Sequence, residues 1–230
     1  MINQIVKNEV FIRGMLVSRY KHDNKTTAVI CARSANKEHS NYQYVTFFGE
    51  QKEIVDSLTI YDKVVVTATA WIFRDQETKL VNSDNLRLRG VSIEHARDFS
   101  KRVLASTGLP IYGIQFLDCV RFTFNGSISS IKETKNGKVS ILLAVSEEER
   151  SGFNLIPMIY TGRGNEDDIE NVLKKYKKGQ VISVKGFVSQ RAEKVEMPDG
   201  EELPPQYKNT YFITSFLTSE MEPDFDAMED

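Results

Sequence analysis

The sequence predicts a mainly β protein built as two tandem five-stranded barrels, each with a short helix between its third and fourth strands. Three observations carry this. Runs of alternating apolar and polar residues, bounded by turn residues, fill residues 9–90. The same order of runs returns from residue 118. Landmarks also keep step between the copies: Gly14 with Gly126, Gly49 with Gly162, and Tyr61-Asp62-Lys63-Val64 with Lys178-Gly179-Gln180-Val181, at offsets of 112, 113 and 117 residues. An internal duplication explains all three, with a modest loop insertion in the second copy accounting for the drift. The chain divides into a first module (1–91), a linker with a helix (92–117), a second module (118–218) and an acidic, disordered tail (219–230).

In the first module, Glu9–Tyr20 alternates in part and KHDN makes a turn before Lys25–Ser34, which is rich in β-branched and small apolar residues. A polar loop leads to Tyr42–Phe48, which ends at Gly49. Glu50–Leu58 offers Ile54, Val55 and Leu58 at helical spacing, a short amphipathic helix. Asp62–Phe73 is the strongest strand, and Asn85–Glu94 is the fifth. In the linker, Ile93, Ala96, Phe99, Val103 and Leu104 fall near one helical face over Ser92–Leu104, before Gly108 and Pro110 end the helix.

The second module opens with Asp118–Glu133. Thr134-Lys135-Asn136-Gly137 follows, and its Asn-Gly pair is a strong hairpin signal. Lys138–Ser146, Phe153–Tyr160, a helical Asp167–Tyr176, Gly179–Gln190 and Asn209–Thr218 complete the set, with a long acidic loop between the last two strands. Five strands with a helix between the third and fourth is the chain order of the OB-fold, a partly open barrel that serves as a platform for oligonucleotides, sugars and proteins.

The net charge of −2 conceals an uneven distribution. Residues 1–90 carry 13 basic and 10 acidic side chains, 118–218 carry 14 of each, and 219–230 carry six acids and no base. A near-neutral sum therefore does not exclude a nucleic-acid partner. No apolar run approaches the roughly 18 residues of a membrane helix, and MINQIVKNEV has no signal-peptide pattern. A cytoplasmic protein is expected, in a bacterial cell or a phage-infected host, with Cys31 and Cys119 as buried thiols. His22, His39 and His95 are scattered, no Cys/His spacing makes a metal site, and no P-loop or nucleophile motif is present. Neither catalysis nor a cofactor is implied.

The run Tyr42-Gln43-Tyr44-Val45-Thr46-Phe47-Phe48-Gly49, then a helix, then Tyr61-Asp62-Lys63-Val64-Val65-Val66, resembles bacterial-type single-stranded DNA-binding proteins. So do Ile159-Tyr160-Thr161-Gly162, Lys178-Gly179-Gln180-Val181 and Lys185-Gly186-Phe187 of the second copy. The resemblance implies OB barrels that bind single strands without sequence preference. It places Tyr42 and Phe48 at base-stacking positions, and Trp71 and Phe73 close to a third. It further implies that the acidic tail, with Asp224, Phe225, Asp226, Glu229 and Asp230, recruits replication or recombination proteins. Three positions depart from the family pattern: Asp62 stands for a glycine, Thr161 replaces an aromatic, and the tail lacks a terminal Pro-Phe. The duplicated, divergent form is more like a phage-encoded protein than a bacterial housekeeping one.

Strand periodicity puts Tyr42, Tyr44, Thr46 and Phe48 on one side, with Gln43, Val45 and Phe47 on the core side. Bases stack on exposed rings for about 1–3 kcal/mol each. The alternative for each ring is packing against the linker helix or a second subunit. Phosphate contacts are expected from Arg13, Arg19, Lys21, Lys25 and Arg33 on the first two strands and their turn, and from Arg74 and Lys79 after the fourth. The second module offers Phe153, Arg121, Lys138 and Lys185, with Phe122, Phe124 and Phe187 as further rings. Its acidic loop (Glu193, Glu196, Asp199, Glu201, Glu202) repels phosphate, so the first module is expected to bind more strongly. Lys174-Lys175-Tyr176-Lys177-Lys178 falls at a helix C-terminus, where cations suit the helix dipole. The tail either binds a basic groove on a partner, competes in cis with DNA, or serves as a solubilising end. Two modules in one chain raise effective concentration, so a monomer or homodimer suffices. A protein–protein adaptor and an RNA binder are the rival readings.

Overall fold

The computed structural model describes residues 8–33, 40–72, 86–96, 118–146, 153–162, 168–196 and 202–217. Their described parts fall into two compact units. One comprises 11–69, 88–96 and 118–120, and the other 121–217 with 8–10, 70–72 and 86–87.

The first barrel is formed by β1 (Glu9–Lys21), β2 (Lys25–Arg33), β3 (Ser40–Phe48), α1 (Gly49–Ser57), β4 (Lys63–Ile72) and β5 (Leu86–His95). Its strands run in the order β2-β3-β5-β4-β1 and close through a β1–β2 pairing. The β2–β3 pair is antiparallel and β3–β5 is parallel. The second barrel repeats this with β6 (Cys119–Glu133), β7 (Val139–Ser146), β8 (Phe153–Tyr160), α2 (Ile169–Lys175), β9 (Val181–Glu196) and β10 (Glu202–Leu217). Its order is β6-β7-β8-β10-β9, closed by β6–β9, and β8–β10 is again parallel. Both barrels have OB-fold connectivity, each closed by a pairing of its first strand.

The matched landmarks have matched physical reasons. A Cβ on Gly14 would lie 2.7 Å from the Cys31 carbonyl oxygen, and one on Gly126 would lie 2.4 Å from that of Ala144. Each glycine lets the second strand cross close over the first. Just beyond it, each first strand carries a bulge, between Leu16 and Ser18 in β1 and between Ile128 and Ser130 in β6. Bulges bend and twist a strand, as barrel closure requires. Gly49 and Gly162, after the third strands, have φ of 54° and 71°.

The fourth-strand landmark is displaced by one residue from the sequence alignment. Tyr61 has φ 80° and donates its N–H to the Leu16 carbonyl, while Gly179 has φ 88° and donates to that of Ile128. Leu16 and Ile128 then donate to the carbonyls of Asp62 and Gln180. The counterpart of Gly179 is therefore Tyr61, not Asp62.

Two further expectations are corrected. The linker helix cannot begin at Ser92, because β5 runs to His95. Ile93 is buried, and its N–H donates to the Gln51 side chain. The strand is continued by the Ala96 N–H, which donates to the Lys63 carbonyl at 2.9 Å. Residues 97–117 lie outside the described set. Asp118, after them, accepts from Lys63 Nζ at 2.7 and 2.9 Å and from the Arg33 N–H at 3.2 Å. The segments on either side of 97–117 are thus both tied to Lys63.

The acidic stretch after Gln190 is in part strand where a loop was expected: β9 runs to Glu196 and β10 begins at Glu202, while 197–201, with Asp199 and Glu201, lie outside the described set. β9 and β10 continue as a paired arm from Gln190↔Asn209 out to Glu196↔Glu202. The ladder skips between Leu203 and Gln206, where Pro204 and Pro205 have no N–H to donate.

Candidate nucleic-acid interface

The outer face of the first barrel is built row by row from its register. Lys25 lies opposite Phe48, Thr27 opposite Thr46, Val29 opposite Tyr44 and Cys31 opposite Tyr42. Opposed residues share a face. Thr46 also pairs with Arg89 of β5, and Thr27 with Tyr20 of β1. One row across four strands is therefore Tyr20, Thr27, Thr46, Arg89, with the two threonine hydroxyls 3.1 Å apart. The other side of β3 enters the core, where Gln43, Val45 and Phe47 are buried.

Tyr44 is 48% exposed, Phe48 37% and Tyr20 55%, while Tyr42 is half-buried. Tyr42 and Tyr44, two residues apart on a strand, are spaced about 7 Å. The Arg89 guanidinium carbon lies 5.7 Å from the Phe48 ring centroid, within cation–π range. Exposed rings, hydroxyls and cations thus share one solvent-facing surface. Tyr20, Arg87 and Arg89 are not among the sequence-predicted residues. The signal for the arginines was the alternation of Leu86-Arg87-Leu88-Arg89, in which Leu88 is buried and both arginines are exposed.

The other predicted cations of this barrel differ in setting. Lys25 flanks Phe48. Arg33 is exposed at the end of β2, opposite Ser40, and Arg13 is half-buried further along β1. Arg19 departs from the phosphate role, because its guanidinium donates to the Val55 carbonyl at 2.9 Å and to that of Leu58. Both carbonyls lie at the C-terminal end of α1, where Leu58 is the C-cap, so Arg19 acts as a helix C-terminal clamp. Lys21 lies 3.6 Å from Asp56. Burial opposes ionisation of Asp56, but hydrogen bonds from Lys52 and Thr26 and the charges of Lys21 and Lys52 outweigh it and hold its carboxyl below the usual range. Phe73, Arg74, Lys79 and the side chain of Trp71 lie outside the described set.

The second barrel does not reproduce the ring row. Counting back from the Gly49/Gly162 pair, the places of Tyr42, Tyr44, Thr46 and Phe48 fall to Leu155, Pro157, Ile159 and Thr161. Opposite these β8 residues stand Ala144, Leu142 and Ser140 of β7. Phe153 is 60% exposed but sits at the end of β8 away from the Asn-Gly turn that carries Lys138. Arg121 and Lys185 occupy a different wall, where Arg121 pairs with Phe187 and Lys185 with Thr123. Phe187 is exposed and stacks on Phe212, with centroids 5.3 Å apart. Phe122 and Phe124 are corrected from candidate ligand rings to core: both are fully buried, stacked on each other and packed on Tyr211. The tail residues Asp224, Phe225, Asp226, Glu229 and Asp230 lie outside the described set.

No family model and no curated protein matches this sequence. Among solved structures the chain is similar to the wild-type single-stranded DNA binding protein from Thermus aquaticus, with a TM-score of 0.56 at 14% identity over 95% of each chain. It is also similar to a deletion mutant of that Thermus aquaticus protein, with a TM-score of 0.54 at 13% identity over 95% of this chain and 98% of the other. At such identities the likeness establishes the fold, along nearly the whole length of the chain.

Proposed function

We propose that this protein binds single-stranded DNA without sequence preference, through the outer face of the first barrel. The observation that carries this is the row of solvent-facing rings on β3, bordered by Lys25 and Arg89. Tyr42, Tyr44 and Phe48 offer stacking planes to any base, Tyr20 extends the platform, and Lys25, Arg33, Arg87 and Arg89 supply phosphate partners. The duplex hides its bases within the stack, so rings displayed on an open face favour single strands. Arg13 and Lys21 add to the basic border, and Arg74, Lys79, Trp71 and Phe73 are further contacts proposed from the sequence alone. Arg121, Lys138, Lys185 and Phe153 form a weaker contribution from the second barrel. The similarity to the Thermus aquaticus single-stranded DNA binding protein supports the same reading. The protein would coat transient single strands in replication, recombination or repair, in the cytoplasm of a bacterial cell or its phage-infected form. The acidic tail would recruit protein partners.

The test is titration of the full chain with a dT oligonucleotide of about 30 nucleotides, followed by Trp71 fluorescence and gel shift. Affinity for the single strand should fall with salt by about 0.7 log units per phosphate contact for each log unit of salt. A matched duplex should bind far more weakly. Equal binding of both forms, or none, would remove the proposal.

A further inference from the structure

Strand β1 breaks its own alternation once. Val10, Ile12 and Leu16 are fully buried, so even-numbered residues face the core along the start of the strand. Leu16 pairs with buried Ile30, but the next paired residue, Ser18, stands opposite Val29. Val17 is the extra residue of this bulge, and a one-residue insertion exchanges the two faces of everything beyond it. Tyr20, which an unbroken strand would turn inward, therefore comes opposite Thr27 on the outer face, in one row with Thr46 and Arg89. Arg19 and Lys21, opposite the buried Ala28 and Thr26, turn instead toward α1.

The bulge is anchored on both sides. On one side, the Leu16 N–H donates to the Asp62 carbonyl at 2.9 Å, and the Leu16 carbonyl accepts from the Tyr61 N–H at 2.7 Å. On the other, the Arg19 guanidinium donates to the Val55 carbonyl at 2.9 Å and to that of Leu58. The second barrel separates these two anchors. It has the bulge, between Ile128 and Ser130, and the backbone bonds that tie Ile128 to Gly179 and Gln180. In the places of Arg19 and Tyr20, however, it carries Ile131, opposite Ile141, and exposed Lys132, opposite Ser140. A barrel of this connectivity thus keeps its bulge without an arginine there. The clamp accompanies the ring.

We propose that Arg19 is a positioning residue for the single-strand-binding face: by gripping the end of α1 it fixes the segment of β1 beyond the bulge and holds Tyr20 in the ring row. The inference rests on the binding reading of that face, and it gives a part to a residue that the bound strand does not touch. Tyr20 stands beside the 22–24 turn, at the end of β1. Strand ends with few buried contacts open readily, and a ring that must be ordered on binding stacks at a cost. The clamp removes that cost in advance.

A double-mutant cycle on the full chain, titrated with the same dT oligonucleotide, tests this. Tyr20→Ala should weaken binding by about fivefold or more, the loss of one stacked base. Arg19→Met, similar in length but unable to donate, should weaken it by about threefold or more. In a Tyr20→Ala background, Arg19→Met should add less than about twofold, because its effect runs through the ring. Its salt dependence should match that of the unaltered chain, whereas a lost phosphate contact would lower the slope by about 0.7. Hydrogen exchange without DNA gives the second readout: Arg19→Met should speed exchange across residues 19–27 by about threefold or more and leave 40–48 unchanged. Additive losses, a lowered salt slope or unchanged exchange at 19–27 would each overturn the proposal. An unaltered chain that binds no single strand would remove the binding reading instead, and the exchange data would still decide whether Arg19 holds the hairpin.

Discussion

At the scale of single residues, the turn into the fourth strand shows one backbone requirement met in two ways. Gly179 reaches φ 88° without cost, whereas Tyr61 holds φ 80° with a side chain present. A Cβ at Gly179 would meet nothing within 4 Å, so Gly179→Ala tests backbone conformation alone. It is expected to destabilise the second barrel by about 1–2 kcal/mol in chemical denaturation. Tyr61→Gly removes the strain but loosens the unfolded chain, so it should be neutral or stabilise by up to about 1 kcal/mol. Equal losses in both variants would show that the two turns are not equivalent. The same scale separates the arginines: Arg19 is held by helix carbonyls, while Arg89 lies over Phe48. Sequence could name the cations of the first two strands, but which carbonyl or ring each would meet depended on where α1 and β5 came to rest.

At the scale of elements, α1 is tied to its barrel through Asp56. The carboxylate accepts from Thr26 Oγ1 at 2.9 Å and from Lys52 Nζ at 3.0 Å, and Thr26 is fully buried beneath it. Its folded pKa is depressed, so its contribution is complete above the unfolded carboxylate value of about 4 and is lost as the pH falls through the lower, folded value. Asp56→Asn should therefore destabilise by about 1.5–3 kcal/mol at pH 7, the scale of a hydrogen bond to a charged group. It should also flatten the acid limb of the stability profile measured by urea unfolding between pH 7 and 3. An unchanged acid limb would assign that limb to other carboxylates. The strands themselves were legible from period-two patterning, and the alternation on β3 holds side chain by side chain. Two elements were misread for definite reasons. Ile93 fits a helical spacing as well as a strand, and its pairing in β5 decided the matter. The acidic, proline-bearing stretch after Gln190 has loop composition, yet the pairing of β9 with β10 carries residues 191–196 and 202–208 on as strand.

At the scale of the whole molecule, two barrels of one connectivity carry different outer faces. Tyr42, Tyr44, Thr46 and Phe48 of β3 are replaced by Leu155, Pro157, Ile159 and Thr161 in the second copy. An aliphatic face lacks the π-planes on which bases stack. The double change Tyr44→Ala with Phe48→Ala should accordingly weaken single-strand binding by about 1–3 kcal/mol per ring, with little change in stability because both rings are exposed. Phe153→Ala in the full chain should cost less, since that ring sits at the end of β8 away from Lys138 and outside any row of exposed rings on β8. Fluorescence titration of both variants against the same oligonucleotide checks this, and a larger loss from Phe153→Ala would assign the dominant face to the second barrel.

The sequence by itself determined the element order, its repetition, the side of β3 that faces solvent and the segregation of acids to residues 219–230. These follow from period, punctuation and charge, which are local properties of the chain. Only the tertiary structure decided which rows align across strands, because register depends on barrel closure, bulges and the close crossings at Gly14 and Gly126. That register brings Arg89 over Phe48, draws Arg19 to α1, sinks Phe122 and Phe124 into the core, and stacks Phe216 on Tyr176 at the end of α2. Contacts between residues distant in sequence are fixed by packing, and packing is a property of the whole fold.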